Sequence, residues 1–316
     1  MNLYPLRITP TPQVRVWGGI QLATRLNKVL PTPEPYGESW EIYYTNTVEN
    51  GAYCGITLAE LLTKFPEPMT GNPDSRSDFP LLVKFLDAQD WLSVQVHPND
   101  LWAARLEGEP RGKTECWYVV EADPDAQLIF GLGRETTPEG LRAAIQAGTV
   151  RDLLQFVPIK QGDFVYVPAG TIHAIGKGLL IYELQQTSDT TYRVYDWDRM
   201  GLDGQPRQLH LEKALACADY SLNPTAKIEY AVEPHDGYER AVLVHGQYFS
   251  LERLAIRSAY AASTANQPRL LTILNGSGRI RSQNDVTEAP LGCSVFLPAA
   301  LGDYTVEGDC EVLIAW

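Results

Sequence analysis

A histidine beyond a turn rich in glycine and proline is the first residue that could carry chemistry. His173 ends the stretch Gly162-Asp-Phe-Val-Tyr-Val-Pro-Ala-Gly-Thr-Ile-His173. The residues before Pro168 alternate as in a strand, and Pro168 with Gly170 predicts a bend after it. His173 is then expected on a new strand that has one face directed inward. A ring nitrogen fixed in this way is suited to binding a metal ion.

Polar side chains also occupy one face of an earlier predicted strand. The segment Trp91-Leu-Ser-Val-Gln-Val-His-Pro98 alternates between aliphatic and polar residues. Successive side chains of a strand point to opposite faces, so Ser93, Gln95 and His97 share one face. A strand that packs against a hydrophobic core presents aliphatic residues inward, and a polar inward face therefore indicates a site.

A third predicted strand, Lys113-Thr-Glu-Cys-Trp-Tyr-Val-Val120, places Lys113 and Glu115 on one face. Together the strands supply four candidate metal ligands: Gln95, His97, Glu115 and His173. Two imidazoles, one carboxylate and one amide oxygen leave room for water or substrate on a divalent ion. Such ligands suit Zn²⁺ and also accept Mn²⁺, Co²⁺ or Fe²⁺. Taken singly, His97 fits a core histidine and Glu115 a surface acid, but their combination with His173 favours a metal site.

The spacing Gly-x5-Pro-x-Gly-x2-His resembles the second cupin motif, which marks small jelly-roll barrels that hold a metal ion in their mouths. This resemblance implies a mainly β fold. The 25 glycines, 22 prolines, 16 tyrosines and 7 tryptophans agree with it, because these residues favour turns and strands. A few short helices are also expected: after Thr57, over 100–107, from Thr136 to about 148 and over 208–220.

An internal repeat of the motif predicts a second barrel. Residues 292–300 match the pattern of the first copy, but Asp303 falls where His173 stood. Upstream, Arg269 falls roughly at the position of Glu115. The second copy therefore keeps the strand pattern without the metal ligands.

The sequence thus predicts two cupin-like jelly-roll barrels, of which the second lacks metal ligands. Residues 221–236 contain two prolines and no strong periodicity, which indicates a domain boundary. We expect a catalytic cupin domain with helical segments over 1–225 and a metal-free cupin-like domain over 226–316. A chain of 316 residues is long enough for two ordinary domains.

Composition and charge limit the partners and the location. A net charge of −13 argues against nucleic acid and anionic membranes as partners, and an anionic substrate would need a local basic pocket. The five scattered cysteines favour reduced thiols in a cytoplasmic protein. The N-terminus has no apolar core of signal-peptide length, and no segment approaches the run of about 18 apolar residues that spans a bilayer.

For three charged residues on predicted strands, the sequence allows either a buried polar site or an exposed position. Lys84 lies within the apolar strand over 81–86 and either extends to its edge or points into a polar cavity. Glu38 and Glu41, on the strand over 37–44, could serve a site. For glutamates, an exposed strand face is the more common position.

The chain resembles the type I mannose-6-phosphate isomerases, or phosphomannose isomerases, in their short bacterial form. Six segments within 14–215 carry the resemblance: Trp17-Gly-Gly19, Gly37-Glu-Ser-Trp40, Ser93-Val-Gln-Val-His-Pro98, Lys113-Thr-Glu115, Pro168-Ala-Gly-Thr-Ile-His173 and Thr191-Tyr-Arg-Val-Tyr-Asp-Trp-Asp-Arg199. Each segment alone is weak evidence, but their order and number are specific. The resemblance implies one zinc ion per chain with four ligands: Gln95, His97, Glu115 and His173.

The resemblance also implies a reaction, the reversible conversion of mannose 6-phosphate to fructose 6-phosphate. A proton moves between C2 and C1 through a cis-enediol, and no redox cofactor is needed. Arg193 matches the essential arginine of the family and is expected to stabilise the enediolate or to hold the substrate. Lys113 matches the active-site lysine and is a candidate base if burial lowers its pKa, and a metal-bound hydroxide is the competing candidate.

The phosphate needs basic or hydroxyl partners that donate charge-assisted hydrogen bonds. Three residues are candidates for this role: Ser93, Lys84 and Arg199. The alternative for Arg199 is a surface ion pair with Asp196 or Asp198.

Two other functions fit parts of the pattern. A different cupin enzyme, such as an iron-dependent sugar isomerase or a dioxygenase, usually has a His-x-His pair where this chain has Gln95-x-His97. In a non-catalytic sugar-binding module, the metal would only brace the barrel, but the basic residues beside the ligands argue against this role. The sequence does not fix the oligomeric state.

Overall fold

A computed structural model describes residues 3–75, 79–283 and 285–316, which form three β-sheets and six short α-helices. The strands are β1 (Leu6–Arg7), β2 (Thr11–Gly19), β3 (Tyr36–Ile42), β4 (Leu81–Ala88), β5 (Val94–Val96), β6 (Glu115–Ala122), β7 (Gln127–Leu132), β8 (Leu154–Pro158), β9 (Phe164–Val167), β10 (His173–Ile175), β11 (Leu179–Gln186), β12 (Tyr192–Tyr195), β13 (Glu233–His235), β14 (Tyr238–His245), β15 (Ser250–Ile256), β16 (Ala259–Ser263), β17 (Arg269–Ser282), β18 (Val286–Ala289), β19 (Ser294–Leu297) and β20 (Asp303–Ala315). The helices are α1 (Gln21–Leu26), α2 (Leu58–Lys64), α3 (Pro66–Thr70), α4 (Asp100–Glu107), α5 (Pro138–Gln146) and α6 (Leu211–Cys217). Single turns of 3₁₀-helix lie at Gly51–Tyr53, Val150–Leu153 and Ala299–Leu301.

Two sheets in the first part of the chain share an apolar core. One has the strand order β2-β3-β4-β11-β6-β9 and the other has the order β12-β5-β10-β7-β8. Trp117 of β6 packs in this core with Phe130 of β7 and Ile175 of β10. Alternate residues of β6, Cys116 and Tyr118, belong to a second core on the opposite face. The strand that begins with Glu115 is therefore covered on both faces.

The third sheet contains the strands after residue 232, together with the first strand of the chain. Its order is β1-β19-β17-β20-β15-β14-β13, with β16 beside β20 and β18 beside β17. Leu6 of β1 pairs with Phe296 of β19, so the N-terminus is part of the C-terminal sheet. The ring of Phe296 also meets that of Phe79 edge-on at 5.3 Å. The two parts of the chain thus share a continuous buried interface.

Local signals explain the ends of the helices. The predicted capping box is present at the start of α2, and Asn99 caps α4, which covers 100–107 as predicted. The cap of α5 is Thr137 rather than Thr136, and α6 is shorter than the helix predicted over 208–220. Within the described ranges, none of the helices has the length and apolarity that crossing a membrane requires.

The expectation that Glu41 lies on an exposed strand face is wrong. Glu41 is fully buried, and its carboxylate accepts hydrogen bonds from Lys28 Nζ at 2.5 Å and Ser294 Oγ at 3.0 Å. Ser294 begins β19, so the C-terminal sheet covers this face of β3. Alternation along β3 could not reveal this covering sheet, because the covering residues lie some 250 positions away in the sequence.

Candidate metal centre and active site

Three neighbouring strands place polar side chains in one row. His173 at the start of β10 is the register partner of Gln95 on β5, and Gln95 is also the partner of Arg193 on β12. Directly opposite residues of antiparallel strands point to the same face, so these three side chains are neighbours. The other sheet contributes Glu115 from the first position of β6.

The backbone around the bend also fixes His97. Gly170 has φ +94°, in the region that favours glycine, which agrees with the predicted bend after Pro168. Its N–H donates to the carbonyl of His97 at 2.8 Å, just beyond the end of β5. The N–H of Lys113 donates to the carbonyl of Pro98 at 2.9 Å. These bonds connect the His97 end of β5 to the loops before β10 and β6.

The side chains of His97, Glu115 and His173 converge in the interior. One ligand atom from each lies within 4.8 Å of the others, and all three residues are buried. The Nε2 atom of His97 is 3.6 Å from Glu115 Oε2, and that of His173 is 3.4 Å from Glu115 Oε1. Glu115 Oε1 is buried and has no hydrogen-bond partner among the described residues. An orphaned carboxylate oxygen between two imidazoles is the arrangement that a cation would satisfy.

Both imidazoles are held in the form that binds metal. Nδ1 of His97 lies 3.0 Å from the carbonyl of Thr190, and Nδ1 of His173 lies 2.8 Å from that of Thr171. A carbonyl only accepts hydrogen bonds, so Nδ1 carries the proton and Nε2 presents its lone pair to Glu115. Burial lowers the pKa of His173 to about 4, and burial with the charge of Lys113 lowers that of His97. Neutral imidazoles are the species that ligate a divalent ion.

Gln95 lies at the edge of this cluster. Its Nε2 is 3.3 Å from His173 Nε2, and its side chain is half-buried. Exchange of the amide nitrogen and oxygen by rotation would direct Oε1 toward the cluster. The donor set of two neutral imidazoles, a carboxylate and this amide therefore fits a divalent cation of the zinc type.

Lys113 contacts the same ligands. Its Nζ lies 2.5 Å from Glu115 Oε2, 3.1 Å from His97 Nε2 and 3.8 Å from Glu183 Oε1. Burial acts to lower the pKa of Lys113, but the carboxylates of Glu115 and Glu183 outweigh it and raise the pKa above its usual value. The condition under which Lys113 was a candidate base, a pKa lowered by burial, is therefore not met by the polypeptide alone. A divalent cation at the cluster would act in the opposite direction, because it adds positive charge beside the ammonium group.

A polar cavity of about 330 Å³ opens beside the cluster. Four of the residues singled out for substrate binding or catalysis line it: Lys84, Ser93, Lys113 and Arg193. Lys84 Nζ lies 3.7 Å from Glu38 and 3.8 Å from Glu183, and 5.1 Å from the centre of the Trp40 ring. Lys84 thus points into a polar cavity rather than along the sheet to its edge. Burial opposes the ionisation of Glu38, but Lys84 and Arg15 prevail and lower its pKa to about 2.

The guanidinium of Arg193 has hydrogen-bond donors that the protein pairs only in part. Its Nη1 donates to the carbonyl of Gln208 at 2.8 Å, whereas its Nε is buried without a partner in the described part of the chain. Burial lowers its pKa, and so does the nearby Arg207. An anionic ligand in the cavity would accept a hydrogen bond from Nε of Arg193 and would offset the repulsion between Arg193 and Arg207.

Comparison with known proteins decides the family. The catalytic domain of phosphomannose isomerase type I matches residues 6–118, and the cupin domain of mannose-6-phosphate isomerase matches residues 239–315. The probable mannose-6-phosphate isomerase GmuF of Bacillus subtilis is 41% identical over 99% of both chains. The mannose-6-phosphate isomerase of Streptococcus mutans is 40% identical over 98% of this chain and 97% of its own. This chain belongs to the type I phosphomannose isomerase family.

A solved structure supports the same family. The mannose 6-phosphate isomerase from Bacillus subtilis matches with a TM-score of 0.91 and 35% identity, over 99% of both chains. The chain is therefore an enzyme of the isomerase class, as the motifs predicted, and its mainly β fold is that of its phosphomannose isomerase relatives.

The structure does not place Arg199 in the wall of the phosphomannose isomerase cavity. Its guanidinium lies 3.0 Å from Asp196 and 3.3 Å from Asp90. The alternative of an ion pair with Asp196 is therefore observed, but the pair is largely buried rather than at the surface, and the second partner is Asp90 instead of Asp198. The expected phosphate contact from Arg199 is not supported by this geometry.

Four charged residues of the cavity wall were missed from the sequence: Arg15, Glu183, Asp189 and Arg207. Glu183 is a lone acid within the apolar run of β11, opposite Lys84 on β4, and that pairing of rare residues was a usable signal. Arg207 lies in a loop without periodicity, and no local pattern indicates where its side chain points.

Proposed function

We propose that this enzyme interconverts mannose 6-phosphate and fructose 6-phosphate and that it depends on one zinc ion per chain. The observation that carries the proposal is the buried cluster of His97, Glu115 and His173 beside a polar cavity, in a chain 40% identical to a mannose-6-phosphate isomerase. Gln95 is the proposed fourth ligand. When bound there, the ion supplies a Lewis acid that stabilises negative charge on the sugar oxygens.

The residues of the chain provide the proton transfer and the charge complementarity. We assign Lys113 to carry a proton from C2 to C1, through a cis-enediol, because its Nζ lies beside the ligand atoms of the cluster. The C2–H bond breaks as the C1–C2 double bond forms and the C1 carbonyl becomes a C1–O1 single bond. The same proton then returns to C1 as the C2 carbonyl forms, and the hydroxyl proton of O2 moves to O1. Arg193 stays charged and stabilises the enediolate oxygen, a role that its unsatisfied Nε supports. Ser93 lines the same cavity and orients the substrate.

The division of the chain is a further part of the proposal. We assign residues 1–225 to a catalytic jelly-roll barrel, except for β1, which joins the C-terminal sheet, and residues 226–316 to a second barrel without a metal. The match of a cupin domain to residues 239–315 supports the second barrel. Arg269, which takes the place of the first barrel's glutamate, stacks on the Trp316 ring at 4.6 Å instead of facing a cluster of ligands.

The cysteines and the net charge support the proposed location and partners. All five cysteines are free, in agreement with the reduced thiols of the proposed cytoplasmic enzyme. The substrate is a small sugar phosphate, and neither nucleic acid nor a membrane is proposed as a partner, given the net charge of −13.

A coupled assay with mannose 6-phosphate, combined with metal analysis of the purified protein, tests the function. Chelation should abolish turnover, and added zinc should restore it. Turnover that persists after complete metal removal would contradict the Lewis-acid role. A protein that retains zinc but converts no mannose 6-phosphate would instead favour the sugar-binding module.

A further inference from the structure

Arg15 and Arg207 form the mouth of the active-site cavity. Both line the inner cavity that contains Arg193 and Lys113, and both also line an outer, more open cavity of about 360 Å³. These two residues therefore form the part of the wall that the inner and outer cavities share. Arg207 follows the edge strand β12, close enough to Arg193 for their charges to interact.

The guanidinium of Arg207 is held in one orientation by Asp196. Its Nε lies 2.6 Å from Asp196 Oδ2, and its Nη2 bonds to Oδ1 of the same carboxylate. Asp196 is buried, so this two-point contact fixes the plane of the guanidinium. In the described part of the chain, Nη1 of Arg207 has no hydrogen-bond partner, and it is not among the buried unpaired atoms. One donor is thus free to bind a ligand.

The charges of the cavity wall favour an anion at this end. Five basic and three acidic residues line the cavity, although the whole chain carries a net charge of −13. Glu38 binds both Arg15 and Lys84, and Glu183 lies near Lys84. The positive charge of Lys84 is therefore balanced by two nearby carboxylates.

The positive charges of the arginines near β12 are balanced by fewer carboxylates than the charge of Lys84. Asp196 is shared by Arg207 and Arg199, and the only other carboxylate paired with Arg199 among the described residues is that of the exposed Asp90. Arg193 adds a third guanidinium close by. The third acid of the wall, Asp189, also lines a neighbouring cavity with Tyr43.

The distance from the metal cluster suits a ligand with two functional ends. Strand β12 lies two strands away from His173, roughly 10 Å at the usual strand spacing, and Arg207 pairs with Asp196 directly after β12. A hexose phosphate carries its reacting carbons at one end and its phosphate at the other. A cation at the histidines and an arginine at the mouth could therefore bind the two ends together.

We infer that Arg207 binds the phosphate of the substrate at the mouth of the cavity and that Asp196 positions its guanidinium. This inference rests on the proposed function, because it takes a sugar phosphate as the ligand. Arg207 thus takes the role that the sequence suggested for Arg199, and it determines the preference for phosphorylated over free sugars.

The test compares Arg207→Gln with Arg240→Gln in the zinc-loaded enzyme. Arg240 forms a comparable pair with the buried carboxylate of Glu252, far from the cavity, so its variant reports the general effect of losing such a pair. A lost charge-assisted hydrogen bond should raise KM for mannose 6-phosphate about 10- to 100-fold in Arg207→Gln, with a fall in kcat of less than about tenfold. Arg240→Gln should leave both constants near those of the unmodified enzyme.

Calorimetry with inorganic phosphate separates this inference from the proposed function. Arg207→Gln should weaken phosphate binding by a similar factor, whether or not the protein isomerises mannose 6-phosphate. An inactive protein whose phosphate binding still depends on Arg207 would refute the isomerase and support the anion site. An active Arg207→Gln enzyme with unchanged KM and unchanged phosphate binding would overturn the inference. A larger KM effect in Arg199→Gln than in Arg207→Gln would also overturn it.

Discussion

Substitution of Glu115 by glutamine tests whether the central carboxylate serves a metal or only the fold. Glu115 and Lys113 form a buried ion pair at 2.5 Å, with side chains that are 0% and 7% exposed. The chain contains a closely matched pair, Lys28 and Glu41, also at 2.5 Å and with exposures of 5% and 0%. Glu41→Gln therefore removes the same type of charge without touching the proposed metal cluster.

The structural cost should be similar in the two variants. Glutamine keeps a hydrogen-bond acceptor for the lysine but removes the negative charge. Hydrogen bonds to charged groups contribute about 1.5–3 kcal/mol, so each variant should lower the free energy of unfolding of the metal-free protein by about 2 kcal/mol. Zinc at 100 times its Kd stabilises a native protein by about 2.7 kcal/mol, and this gain should persist in Glu41→Gln but disappear in Glu115→Gln.

Three measurements on the same samples decide the question. Urea denaturation with and without zinc gives the two free energies of unfolding, elemental analysis gives the zinc content, and the coupled assay gives turnover. We expect Glu115→Gln to weaken zinc binding by more than about 100-fold, beyond the effect of losing an outer partner of a ligand, and to lose turnover. If Glu115→Gln retained one zinc per chain and normal turnover, the assignment of Glu115 as a ligand would be refuted.

Two further substitutions separate catalysis from metal binding. Arg193→Ala should lower kcat by at least about 100-fold while zinc content stays unchanged, because its guanidinium is proposed to act on charge in the transition state; a loss of zinc would show a structural role instead. Lys113→Met should lower kcat by about 100-fold or more with zinc retained, as expected for loss of a proton carrier, and near-normal turnover would exclude Lys113 as the base.

The sequence predicts the convergence of His97, Glu115 and His173 because strand periodicity and a glycine–proline bend carry geometric information. Alternation alone places Gln95 and His97 on one face, and the bend before His173 requires the positive φ observed at Gly170. The family resemblance identified Lys113 and Arg193, and both line the cavity beside the cluster.

The errors arose where distant segments cover or reach a residue. Glu41 is buried by Ser294 and its strand, which a local pattern cannot show. Distant segments also set the pKa of Lys113, through Glu183 of another strand, and bring Arg207 from a loop into the cavity wall, which Arg199 does not line. Such outcomes depend on how sheets pack, and alternation within a single strand contains no information about that packing.

Diffraction from zinc-loaded crystals at the zinc absorption edge tests the central claim most directly. We expect one anomalous peak per chain, about 2.0–2.2 Å from Nε2 of His97, Nε2 of His173 and a carboxylate oxygen of Glu115. A peak at another position, or a structure in which any of these three side chains turns away from the ion, would contradict the account.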